Sequence, residues 1–137
     1  MSSQPIELIA CETCGGTDTP DQTQRPDQPP PPTRGQRLLS QLHASLASSG
    51  APEFELRISS VRCLWACTRS CAVHLRGPGR VGYVLCELEP EPSTARALIE
   101  YARLYAHSSD GLVPLRQRPQ ALRGHFLCRI PATTPVP

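Results

Sequence analysis

Apolar positions in this chain recur with two different periods, and those periods assign the elements. Ile6 to Ala10 is a short apolar run of the kind a buried strand needs, and it delivers the chain to Cys11. Leu38, Leu39, Leu42 and Leu46 form one helical stripe, and Thr33 with Gln36 has capping-box spacing just before it. Gly50 fits the stop of that helix. Phe54, Leu56 and Ile58 alternate with polar residues, the pattern of a half-buried strand running toward Cys63. Gly77-Pro78-Gly79-Arg80 is a turn signal that joins Ala72–Arg76 and Val81–Leu88 into a hairpin. Pro92 suits the first turn of a second helix, in which Leu98, Tyr101, Ala102 and Tyr105 share a face and which Gly111 closes. Phe126, Cys128 and Ile130 alternate within Gly124 to Ile130, as in an edge strand.

The order β-α-β-β-β-α, followed by that edge strand, predicts one thioredoxin-like α/β domain over residues 1–132, a small mixed β-sheet flanked by two helices. Its length of 137 residues is that of a single domain. Pro20 to Pro32 holds six prolines in thirteen residues and no aliphatic or aromatic side chain, so it reads as a disordered insertion. Residues 133–137 read as a flexible tail. No apolar stretch approaches the 18 or so residues of a membrane span. The start, MSSQPIELIA, has neither the basic nor the long apolar region of a secretory signal, which points to the cytoplasm. A net charge of +2 favours neither nucleic acid nor membrane as a partner.

Seven cysteines change the picture. Thiols remain reduced in a cytosol, so clustered cysteines there more often serve metal or redox chemistry than structure. Cys11 and Cys14 form a CxxC directly after the first strand, and Cys63, Cys67 and Cys71 form a CxxxCxxxC run between the second strand and the hairpin. Two thiolates per tight loop, with two loops converging, is the usual supply of four ligands. Three chemistries use such a pattern: a [2Fe–2S] cluster, a tetrathiolate zinc site, and a dithiol redox pair at Cys11 and Cys14. Zinc knuckles generally use two-residue gaps in both halves, and Gly15 and Gly16 give the CxxC poor helical support. From Leu56 through Cys86 there is no acid, while Arg57, Arg62, Arg69, Arg76 and Arg80 contribute +5. These guanidinium groups either moderate thiolate charge or are solvated surface charges. A second basic stretch, Arg116, Arg118, Arg123 and Arg129, suits either an acidic redox partner or a packed C-terminal tail. Cys86 and Cys128 read as small buried hydrophobes, and Trp65 as a shield for the site or ordinary loop packing. His43, His74, His107 and His125 are scattered and read as surface residues. No nucleophile elbow or phosphate loop is present, so the chain is expected not to be an enzyme.

Val61 to Tyr83, VRCLWACTRSCAVHLRGPGRVGY, resembles the thioredoxin-like [2Fe–2S] ferredoxins. In those proteins a Cys-x-x-x-Cys loop precedes a short strand, a Pro/Gly turn and a strand bearing a Tyr. Cys63 and Cys67 match the pair, and Tyr83 the aromatic. The chain also resembles a family of small bacterial proteins described as predicted metal-binding, through both cysteine groups and the closing LYAHSSDGLVPLRQRPQALRG. This second similarity covers nearly everything outside the Pro-rich insertion. The resemblance implies a metal-binding protein, with a [2Fe–2S] ferredoxin-like electron carrier as the leading expectation. The expected ligands are Cys11, Cys14, Cys63 and Cys67, with Cys71 in reserve, and the expected partner is a redox protein. A zinc or other metal-handling protein, or a CxxC thiol-disulfide redox protein, is the alternative. The chain departs from the ferredoxins in the close spacing of its first pair and in the third cysteine, Cys71.

Overall fold

A computed structural model describes residues 5–12, 31–48, 54–64 and 69–132 of the chain. The elements follow as β1 (Ile6–Cys11), α1 (Arg34–Ser48), β2 (Leu56–Val61), β3 (Val73–Arg76), β4 (Gly82–Leu85), α2 (Pro92–His107), two short 3-10 helices (Leu115–Gln117 and Gln120–Leu122) and β5 (Phe126–Ile130). They build a mixed α/β fold with one five-stranded sheet in the order β2-β1-β3-β4-β5. β1 and β2 are parallel and joined through α1, while β1/β3, β3/β4 and β4/β5 are antiparallel. No helix among the described residues is long and apolar enough to cross a membrane.

Alternation along the strands sends one set of side chains to a single core. Leu8, Ala10, Val73, Leu75, Tyr83 and Leu85 meet Leu38 and Leu42 of α1 and Leu98, Tyr101 and Tyr105 of α2 there. Both helices therefore cover the same face of the sheet. The other face presents Glu7, Arg57, His74 and Arg76, which line a groove rather than a core.

Local signals hold where they are local. The capping box forms: Gln36 N–H donates to Thr33 Oγ1 at 3.0 Å, and Thr33 N–H donates to Gln36 Oε1 at 2.9 Å. Pro92 occupies the first turn of α2. β5 is the edge strand the alternation predicts. Two expectations are corrected. The second hairpin strand stops at Leu85 instead of Leu88, because Cys86 N–H turns to His125 O at 2.8 Å and Glu87 adopts a left-handed φ of 57°. α2 ends at His107 with Ser108 as its cap, so Gly111 does not close the helix. Gly111 instead carries a φ of +82° beneath Tyr105, where a Cβ would lie 2.8 Å from the ring. The predicted stop at Gly50, the 133–137 tail and the insertion, apart from exposed Pro31 and Pro32, lie outside the described residues.

Candidate metal centre

Strand directions decide where the cysteines go. Parallel β1 and β2 both finish at one end of the sheet, antiparallel β3 begins there, and β4 finishes there. Cys11 closes β1, Cys63 follows β2, Cys71 precedes β3 and Cys86 follows β4. With the order β2-β1-β3-β4, Cys63, Cys11, Cys71 and Cys86 succeed one another across that end.

Register brings the turn after β2 against Cys11. Cys11 lies opposite Val61 in β2, so the residues just past Val61 must pass beside its side chain. Leu64 N–H donates to Cys11 Sγ at 3.4 Å, and the same sulfur lies 4.0 Å from Arg62 O. Cys11 is fully buried beneath this turn, while Cys63, in the middle of it, is exposed. On the other side, Cys11 N–H donates to Ala72 O at 3.1 Å, which seats Cys71 nearby. Cys71 is also fully buried.

The N-terminus of α1 closes the site. The Thr33 hydroxyl donates to Glu12 O, tying the start of the helix to the residue after Cys11. Arg34 then pairs with Glu89 at 2.8 Å and directs its guanidinium at the Cys71 sulfur. Burial pushes the Cys71 thiol above its ordinary pKa, and Arg34 opposes that rise. Cys86 is set apart from this group: it is buried, Arg69 Nη1 approaches its sulfur at 4.0 Å, and its carbonyl meets His125 Nδ1 at 3.0 Å.

Of the five clustered cysteines, the structure thus brings together Cys11, the turn bearing Cys63, and Cys71. Cys14, Cys67 and Trp65 lie outside the described residues. Among the described residues no three His, Cys, Asp or Glu side chains stand close enough to hold a metal ion. Two residue assignments are corrected. Cys128 is exposed on β5 rather than buried: Phe126 lies opposite Leu85 but Cys128 lies opposite the adjacent Val84, a register shift that breaks the alternation, and Leu127 through Ile130 are all exposed on this edge strand. His74 and His125 are half-buried rather than surface groups, while His43 and His107 are exposed. In the second basic stretch, Arg118 stacks on Phe126 at 4.4 Å from the ring centre, and Arg129 lies over Tyr83 at 5.8 Å. Sequence reasoning missed Arg34, Glu89 and the Leu64 amide; the capping box marked where α1 begins but not that it begins beside this site.

A family model matches residues 8–132 and carries the description "Protein of unknown function (DUF1636)". The chain belongs to DUF1636. No curated protein and no solved structure matches it. The DUF1636 match starts within β1 and runs past β5, so it includes both cysteine groups and the stretch between them. The description of DUF1636 names no metal, cluster or ferredoxin.

Proposed function

We propose that this chain binds a metal through cysteine thiolates at the strand-end site, that the occupant is a [2Fe–2S] cluster, and that the protein carries single electrons to a partner protein. One observation carries the proposal: the buried sulfur of Cys11 accepts an N–H from Leu64, 53 positions away, inside the turn that bears Cys63. The thiols at this site fit a thiolate-bound group. They are soft donors, two of them are shut off from water, and an amide N–H points at one sulfur. A bound [2Fe–2S] cluster supplies one-electron redox chemistry.

The chain's own residues set its surroundings. The Leu64 amide stabilises negative charge on the Cys11 sulfur. Arg34 brings positive charge to Cys71, and Glu89 fixes the position of that guanidinium. The proposed ligands are Cys11, Cys14, Cys63 and Cys67, with Cys71 as the alternative fourth. A thioredoxin-like reading of the fold belongs to the same proposal. It is supported by the parallel β1-α1-β2 unit, the antiparallel β3-β4 hairpin, the order β2-β1-β3-β4 and two helices on one face.

Purification without oxygen, followed by assay of iron, acid-labile sulfide and zinc, tests the occupant. The proposal expects a reddish-brown protein holding about two iron and two sulfide per chain. Colourless protein with stoichiometric zinc would retain the thiolate site but overturn the cluster, and protein binding neither metal would overturn both. Loss of iron in Cys71→Ser but not in Cys67→Ser would exchange those two ligands.

A further inference from the structure

At the opposite end of the sheet, on the face without helices, lies a groove of about 550 Å³. That volume is within the range of small-molecule sites. Register builds its floor: Glu7 of β1 lies opposite Arg57 of β2 on one side and Arg76 of β3 on the other. The row Arg57–Glu7–Arg76 therefore alternates in sign and leaves one positive charge in excess.

Glu7 is committed to Arg76, with both contacts at 3.4 Å. Arg57 is exposed, and among the described residues it makes no ion pair. Arg80 adds a third positive group. It is locked in place by donating from Nε to Ser108 O at 2.9 Å and from Nη2 to Ala106 O at 3.0 Å. His74 fills the gap left by Gly82, where a Cβ would lie 3.2 Å from its Nε2. Burial first, and Arg76 second, hold the His74 imidazole below its usual pKa, so it meets a ligand as a neutral hydrogen-bonding group. Pro5, Pro78, Pro131 and Ile130 supply an apolar wall, with Ile130 39% exposed.

Positive charge in excess, one rigid and one exposed guanidinium, a neutral imidazole and an apolar wall are complementary to one class of ligand. We propose that this groove binds a small organic anion, a phosphate or carboxylate joined to a compact apolar body, with Arg57 and Arg76 on the acidic group and the Pro/Ile wall against the apolar part. The site is independent of the cysteines at the far end of the sheet.

Titration of the full chain with phenyl phosphate, followed by amide NMR, tests the assignment. Phenol and inorganic phosphate are the comparison probes. Saturable shifts are expected at Gly77, Gly79 and Gly82, with a Kd of about 1 mM or tighter. Arg57→Gln and Arg76→Gln should each weaken binding by roughly tenfold, the loss of one charge-assisted contact. Arg57→Gln is the deciding variant, since its exposed side chain carries none of the fold. The proposal is overturned by non-saturating shifts, by shifts centred elsewhere, by phenol binding as tightly as phenyl phosphate, or by an unchanged Kd in Arg57→Gln. Inorganic phosphate matching phenyl phosphate would overturn the role given to the apolar wall.

Discussion

Thr33→Ala isolates the joint that holds α1 against the cysteine site. Its hydroxyl accepts Gln36 N–H at 3.0 Å and donates to Glu12 O, so one oxygen caps the helix and anchors the turn after Cys11. Loss of the cap costs about 1 kcal/mol. Leaving the partly buried Glu12 carbonyl without its donor costs about 1 kcal/mol more. At roughly 4 °C per kcal/mol for a domain of this size, the sum of about 2 kcal/mol lowers Tm by about 8 °C. Thermal unfolding of the full chain, followed by circular dichroism, reads this directly. Thr33→Ser keeps the hydroxyl and should lose less than half as much. A Tm in Thr33→Ala equal to that of the parent chain, or a Thr33→Ser variant that falls as far as Thr33→Ala, would refute the assignment of both bonds to this side chain.

Leu42→Ala removes a fully buried side chain between α1 and the sheet and should cost about 3 kcal/mol in chemical denaturation, measured as a lower midpoint at unchanged slope. Gly111→Ala places a Cβ 2.8 Å from the Tyr105 ring and 2.9 Å from Arg80 Cβ at a φ of +82°, and should destabilise by roughly 2–3 kcal/mol in the same assay. Burial pushes the Tyr105 hydroxyl up from its ordinary 10.0 to about 12, so folding favours the neutral phenol. Its contribution is fully present below pH 10.0 and is lost as pH rises toward about 12; denaturation midpoints in that window should fall with pH, and fall less steeply in Tyr105→Phe.

What was legible in the sequence was what neighbours in the chain decide. The Leu38/Leu42 stripe, the Thr33–Gln36 cap and the Gly77–Arg80 turn each depend on residues a few positions apart, and each appears in the structure. The end of β4 was not legible, because its stop depends on His125, a residue of a segment that returns much later. Cys128 was misread for a related reason: the register shift that sets Phe126 opposite Leu85 and Cys128 opposite the adjacent Val84 belongs to the pairing with β4, a strand distant in the chain, and it breaks the alternation the sequence shows. The grouping of cysteines into two loops was visible as spacing. The contacts around Cys11 and Cys71 were not, since Arg34 meets Glu89 across 55 positions and Thr33 meets Glu12 across 21. The groove lined by Arg57 and Arg76 was equally hidden, because only strand register sets those residues on either side of Glu7.

X-ray absorption at the metal edge of the natively loaded protein examines the thiolate site most directly. It should report a shell made of sulfur at about 2.3 Å around the metal. In Cys11→Ser that shell should lose sulfur or the metal itself should be lost. A shell of nitrogen and oxygen, or a sulfur shell untouched by Cys11→Ser, would contradict the account.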